Sequence, residues 1–449
     1  MAAFRYIGDT LGLTPVLKSS WDVHSLIAMR FFRLMAFGQI SVILAQFFDA
    51  HGFSQDKTGL FMSLTLAGDV GLSLFLTTFG DRLGRKNVLL IGAGLMTLSG
   101  LVFFHESNYY LLLLAAICGV ISPSGAEVGP FRAIEESTLA QLTTLEARAD
   151  VFAWYTLLGS LGAAIGSLVG GWTVQLAQEK YHFTPLEAYK TVFLTYSVIG
   201  FLKFIFSCFL SRKVEAPADE TEPLLANDQE NATQEQAEIR NNVKKRGGLA
   251  RLLPSISPES QKIITTLCLL FAIDSMGSSL ANFSWISYYI QRKFDISTGF
   301  LGSVFFSTGI VASLATLVGS GISRRLGPLL TMVVTHLPSS ALLIFLPVPS
   351  TVGGVITILA IRACTAQMDV APRQAFLSAV VLKNERTLVM GWVGTVKTIA
   401  QLPGPYVTGY LARHNKQWIA FVAAGSMKVI YDLSILSYFT KVKLDRDQN

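Results

Sequence analysis

Charge is what this sequence most lacks. Of its 449 residues only 15% are Asp, Glu, Lys or Arg, against roughly 25% in an ordinary soluble domain, while 51% are hydrophobic and the mean hydropathy is +0.47. A water-soluble globule is therefore excluded. Cysteine is scarce too: Cys118, Cys208, Cys268 and Cys364 each lie inside an apolar run with no CxxC pair, so no disulfide framework is indicated. The histidines His24, His51, His105, His182, His336 and His414 are isolated, and neither HExxH nor GxSxG occurs. Nothing points to an enzyme, a metal or a cofactor. The 36 basic residues exceed the 30 acidic ones only modestly and form no stripe, which argues against a nucleic-acid partner. The segment before Trp21 has no short apolar region ending in a small-residue cleavage site, so no removable signal peptide is expected.

Long apolar runs are what the sequence has in abundance. Six fall near 26–49, 58–79, 87–104, 110–131, 151–176 and 189–210, and six more near 262–290, 297–321, 328–347, 351–377, 387–411 and 417–440. Twelve membrane helices of about 20 residues each would use about 240 residues, which this length accommodates. Between the two sets, 211–260 is rich in acidic, amide and lysine side chains and holds Pro217, Pro223, Pro254 and Pro258. It reads as a disordered linker, too polar to bury enough surface to offset ordering. The expected organisation is an N-terminal segment 1–25, a six-helix bundle 26–210, the linker 211–260, a second bundle 261–440 and a tail 441–449.

Basic residues set the orientation, because loops rich in them resist translocation. One set of alternate loops holds Arg82, Arg85, Lys86, Arg148, Arg212, Lys213, the basic residues of the linker and tail, Arg324, Arg325, Lys383 and Arg386; the opposite set holds only Lys57, Lys180, Lys190, Arg292, Lys293, Arg413 and Lys416. Both termini and the linker are expected in the cytosol. The halves also echo each other: Glu127-Val128-Gly129-Pro130 overlies Asp369-Val370-Ala371-Pro372 at a displacement of 242, and Arg82-Leu83-Gly84 overlies Arg325-Leu326-Gly327 at 243. Duplicated six-helix halves with a site between them near the midplane are a recurrent transporter design.

The loop Gly80-Asp81-Arg82-Leu83-Gly84-Arg85-Lys86 resembles the signature between helices 2 and 3 of the major facilitator superfamily (MFS). The resemblance implies an all-α membrane fold of 12 helices in two pseudo-symmetric bundles, and a gating role for Asp81 and Arg85. Thr77 replaces the usual glycine four residues earlier, and the second copy, Ser323-Arg324-Arg325-Leu326-Gly327, lacks the acid. In the fifth run, Gly162, Gly166, Gly170 and Gly171 provide small residues at helical spacing, suited to close helix packing. The same run resembles the superfamily's antiporter signature, with Ser167 in place of its proline. Pro403-Gly404-Pro405 is expected to kink the eleventh helix. Ser122–Phe131, Thr335–Ser339 and Gln367–Ala375 resemble a fungal and bacterial branch without a settled substrate.

In this fold helices 1, 4, 7 and 10 line the central cavity, so the resemblance places there Arg30 and Arg33, Glu127, Asp274, and Arg362 and Asp369. Charges in hydrocarbon cost at least about 2.5 kcal/mol each, which makes all six functional candidates. Arg362 and Asp369, two turns apart, should share a face; Arg33 and Asp274, displaced by 241, could pair across the cavity when its cytosolic end closes. Asp274, then Glu127 and Asp369, are the candidate proton-coupling groups; the competing reading is a static salt-bridge network. Asp69 is assigned to packing around the signature loop, Lys428 and Asp432 to a local i,i+4 pair, and Phe283, Trp285, Tyr288 and Tyr289 to an interfacial aromatic belt. Lys397 has no evident partner in the sequence.

Glu220-Thr221-Glu222-Pro223-Leu224-Leu225 matches an acidic dileucine sorting signal of the kind adaptors read in the cytosol; Glu220, Leu224 and Leu225 point to a vacuolar or lysosomal membrane, and the plasma membrane is the alternative. Asn231-Ala232-Thr233 fits a glycosylation acceptor that this orientation leaves unused. The expected function is alternating-access transport of a small organic solute by a monomer in the lipid bilayer, coupled to protons, with antiport favoured over symport. The rival is a transport-inactive sensor or receptor of the same fold, which should lack ionisable residues in its cavity.

Overall fold

The computed structural model describes residues 13–119, 121, 130–215, 258–381 and 386–448. Among these residues the chain is built of helices, without a strand. In the first half they are α1 Leu13–Leu17, α2 Trp21–Ala50, α3 Gln55–Leu83, α4 Arg85–His105, α5 Tyr109–Gly119, α6 Pro130–Leu142, α7 Leu145–Tyr181 and α8 Pro185–Cys208, followed by a 3-10 turn at Arg212–Val214. In the second half they are α9 Pro258–Leu280, α10 Phe283–Phe294, α11 Thr298–Leu326, α12 Pro328–Phe345, α13 Val352–Thr365, α14 Val370–Val380, α15 Arg386–Gln401, α16 Gly404–Arg413 and α17 Gln417–Gln448.

Nine helical stretches among the described residues are long and apolar enough to cross a bilayer: α2, α4, α7, α8, α9 with α10, α11, α12, α13 with α14, and α17. The other three of the twelve spans are α3, α5 with α6, and the eleventh, which is cut at Pro403 into α15 and α16. Proline explains a further feature: in span 10 Pro372 offers no amide to the preceding turn, where residues 366–369 leave the helix. Span 7 is reset differently, by Asn282, whose side chain accepts the Trp285 amide at 3.0 Å and caps α10.

The internal repeat has a structural counterpart. Gly84 ends α3 at φ +83° and Gly327 ends α11 at φ +78°, and the next helix begins at the following residue in each case. A side chain rarely adopts this left-handed backbone, which is why the repeated Arg-Leu motif closes on glycine both times.

The hydrophobic core forks. One cluster joins both halves, with Phe47, Phe48, Phe61 and Phe193 from the first and Trp285, Leu301 and Phe421 from the second. Two others stay within one half each, around Val23, Leu89 and Tyr155, and around Phe271, Met332 and Tyr431. The shared cluster lies at the end carrying residues 51–54, 182–184, 295–297 and 414–416; the separate ones lie toward the Arg-Leu-Gly turns. Leu98, Leu114, Leu314 and Ile399 are exposed on the outer surface, as lipid-facing side chains are.

Candidate functional site

Hydrogen bonds between halves gather at the joined end. Ser287 donates to the Val42 carbonyl at 2.6 Å and Gln46 to the Ser287 hydroxyl at 3.0 Å. Gln55 donates to the Tyr288 hydroxyl at 3.1 Å, Trp172 to Ser303 at 3.0 Å, and Arg413 pairs with Asp56 at 2.8 Å. Glycine lets the backbones meet there: a methyl group on Gly59 would lie 2.4 Å from the Pro405 carbonyl oxygen, and one on Gly171 would lie 2.5 Å from that of Thr298. We refer to this end as the latch.

Between the latch and the Arg-Leu-Gly turns lies a cavity of about 400 Å³ walled by spans 1, 5, 7, 8 and 10. Its lining is mostly small and apolar, with Phe37, Phe283 and Phe305 as its large rings. Arg362 is the one charged residue lining it among those described. The Arg362 Nε donates to the Ser339 carbonyl at 3.2 Å, which fixes the side chain's root and leaves its terminal nitrogens for the cavity.

Of the expected cavity carboxylates, Asp274 and Asp369 are placed elsewhere. In the first half Glu135 is the hub: its oxygens lie 2.7 Å from Arg33 Nη2 and 3.4 Å from Lys203 Nζ, and it accepts the Tyr155 hydroxyl at 2.8 Å. In the second half Asp274 lies 2.8 Å from Lys428 Nζ and 3.4 Å from Arg373 Nη1, while Arg373 also pairs with Asp369. His336 extends this group, its Nδ1 2.8 Å from Asp432 Oδ1 and its Nε2 3.8 Å from Asp274 Oδ1. The Ser340 hydroxyl lies 3.3 Å from Asp432 Oδ2. Each node ties the first, fourth and sixth spans of its half, or their counterparts 7, 10 and 12. Counting only the ion-paired groups, the first holds two cations and one carboxylate, the second two cations, three carboxylates and His336.

The geometry bears on several sequence expectations and corrects those for Arg362 with Asp369, Lys428 with Asp432, and the aromatic group. Arg33 and Asp274, expected to pair only when the cytosolic end closes, take partners in their own halves here, where the opposite end is the joined one; the pairing itself is not tested by this conformation. Arg362 and Asp369 do not act from one face, because the break at 366–369 interrupts the helical register that the two-turn spacing presumed. Lys428 and Asp432 do not pair; they turn to Asp274 and His336. The aromatic group is no exposed belt: Trp285 and Tyr288 are buried in the latch, Tyr289 stacks edge-on against Phe421, and Phe283 lines the cavity. Arg30 is buried with its guanidinium 4.9 Å from the Tyr155 ring, and Asp69 is fully buried in α3. Lys397 stands over the Phe271 ring at 5.7 Å. Glu127, Glu220, Leu224 and Leu225 lie outside the described residues, as do the side chains of Asp81 and Arg82.

Glu135, Lys203, Arg373 and His336 were not singled out from sequence. Lys203 had a readable signal, a lone ammonium within an apolar run. Glu135 had none, since the fourth run was taken to end at residue 131.

At the signature loop, the Arg85 and Lys86 amides donate to Glu215 at 2.6 and 3.2 Å, so a carboxylate caps the start of α4. The Arg85 guanidinium reaches Gln141 at 2.6 Å, and Lys86 Nζ the carbonyls of Cys208 and Leu210. Of the fifth-span glycines, Gly162, Gly166 and Gly170 face α2, while Gly171 faces α11.

Residues 26–405, and again 267–448, match the family model described as Major Facilitator Superfamily. A protein of Saccharomyces cerevisiae named "Uncharacterized membrane protein YJR124C" is 36% identical over 447 residues, covering 96% of this chain and 97% of its own length. Among solved structures, a bacterial homolog to the human lysosomal transporter Spinster, inward-facing and occupied, superposes with a TM-score of 0.68 at 14% identity over 92% of this chain and 95% of that one. The D-xylose-proton symporter superposes with a TM-score of 0.68 at 12% identity, over 92% and 96%.

Proposed function

The chain belongs to the Major Facilitator Superfamily, and from that premise we propose that it carries a small organic solute by alternating access in exchange for protons. The fold and its relatives support a secondary transporter of small solutes. Proton coupling is our own step, and the second-half node carries it. Its directly paired groups are two cations, Arg373 and Lys428, and three carboxylates, Asp274, Asp369 and Asp432, so with neutral His336 they sum to one net negative charge out of water. One proton, on His336 or on a carboxylate, neutralises the set. A buried carboxylate that loses a cationic neighbour tends to take up a proton, so any motion of span 10 that withdraws Arg373 from Asp274 favours uptake. Lys397, beyond Phe271, and the Tyr431 ring beside His336 complete the surroundings. The glycine run of span 5 supports exchange as the direction of coupling.

Asp274→Asn in proteoliposomes tests this reading. The expected result is loss of pH-driven uptake with solute-for-solute exchange retained; driven uptake that survives the change overturns the assignment. We further propose that the termini and residues 211–260 face the cytosol and that Glu220, Leu224 and Leu225 direct the protein to an endolysosomal or vacuolar membrane. Leu224→Ala with Leu225→Ala should then move it to the plasma membrane, and glycosylation at Asn231 would reverse the orientation.

A further inference from the structure

We propose that the central cavity selects organic anions: small molecules with one carboxylate, or a comparable oxyanion, on an apolar body, held by Arg362. This rests on the transporter reading and adds to it the sign of the cargo.

The argument starts from what the lining offers. Six hydroxyl groups face the cavity wall from Ser41, Ser167, Thr308, Ser313, Thr316 and Ser160. The first five donate their proton to carbonyls of their own helices: Ser41 to Phe37 at 2.8 Å, Ser167 to Ala163 at 3.1 Å, Thr308 to Val304 at 2.9 Å, Ser313 to Gly309 at 2.8 Å and Thr316 to Ala312 at 3.1 Å. What they present to a guest is therefore oxygen lone pairs. Donors left to a guest among the described lining residues come down to Arg362, the only charged one, with the amide of Gln367 and the hydroxyl of Ser160. Among the described residues, the carboxylates nearest to this role, Asp274, Asp369 and Glu135, are engaged in the two nodes and do not line the cavity.

Electrostatics and shape agree. A guanidinium whose partner is a backbone carbonyl, in a site of low dielectric, gains most from a charged acceptor, and its planar fork matches a carboxylate. Phe37, Phe283 and Phe305 give the rest of the guest an apolar seat. A cavity of about 400 Å³ lies at the small end of the roughly 300–1,000 Å³ range of ligand sites, which fits a small solute better than a long lipid or a peptide. A cation in the same place would meet like charge, with no carboxylate among the described residues lining the cavity to offset it.

The test uses the full-length purified protein at pH 7 and fixed ionic strength, with probes matched in body and differing in charge: benzoate, benzamide and benzylamine; hexanoate, hexanamide and hexylamine. Thermal shift and titration calorimetry read binding. The expected result is stabilisation by the carboxylates, with the amides and amines at least tenfold weaker. Arg362→Gln should lose that preference, and Arg362→Lys should keep the sign of selectivity with weaker affinity, because charge remains and the fork does not. Equal binding across each series, preference for the amines, no shift with either carboxylate, or unchanged anion binding in Arg362→Gln overturns the proposal. Charge selectivity in the native protein decides the matter even if Arg362→Gln does not fold. Flux separates the two readings: anion binding without flux in proteoliposomes defeats transport and leaves anion recognition standing. Flux of a neutral solute unaltered by Arg362→Gln does the reverse.

Discussion

Glu135 shows how much a single buried carboxylate can organise. It is fully buried beneath Arg33, Lys203 and Tyr155, and removing its charge leaves two cations without it in a medium where each costs several kcal/mol. Glu135→Gln should lower stability by about 3–5 kcal/mol, read as a fall in melting temperature in detergent. Adding Lys203→Met should restore part of it, because one uncompensated charge leaves with the lysine. A double variant no more stable than the single one would show that Lys203 does not depend on Glu135. At this scale the sequence was legible where a charge interrupted an apolar run, as at Asp274 and Arg362. It was not legible in who pairs with whom: His336 and Asp432 are 96 positions apart, and their meeting depends on how α12 and α17 pack.

Helices succeed or fail here on small residues and prolines. A methyl group on Gly166 would sit 2.0 Å from the Met35 carbonyl oxygen, and one on Gly38 2.0 Å from that of Ala163, both against backbone that cannot yield without separating α2 from α7. Gly166→Ala should therefore cost about 1–3 kcal/mol through overpacking. Gly394→Ala, inside α15 with nothing within 4 Å of its added carbon, should be neutral or stabilise by up to about 1 kcal/mol through helix propensity. Comparing the two melting temperatures separates contact from propensity; equal effects would remove the packing argument. The glycine spacing announced this seam, and the repeated Arg-Leu-Gly announced the turns at Gly84 and Gly327. The break at 366–369 was harder to foresee, although Pro372 marks it, because a proline near a helix start is as ordinary as one after a break.

The duplicated run of six spans made the two-bundle architecture readable, yet which end is joined is a property of conformation, and one sequence must serve both states. The Asp56–Arg413 pair in the latch bears on how protons act. The Ser54 hydroxyl beside Asp56 holds its carboxyl below the usual range; desolvation opposes this, and the hydrogen bond and charge of Arg413 add to the lowering. A depressed carboxylate contributes fully above the ordinary carboxylate range and loses its contribution only as pH falls through the lowered value. Acidification from pH 7 to 5 therefore leaves this pair charged. Being largely exposed, it contributes less than about 1 kcal/mol, so Asp56→Asn should change the ratio of latched to unlatched molecules by about fivefold at most. Spin labels on the loops at residues 52 and 415 read that ratio as a distance distribution. The shift caused by Asp56→Asn is expected to be the same at pH 7 and pH 5, while the native protein's own pH response persists in the variant and vanishes in Asp274→Asn. If Asp56→Asn abolishes the pH response instead, the latch senses protons, and the node around Asp274 and His336 is a brace.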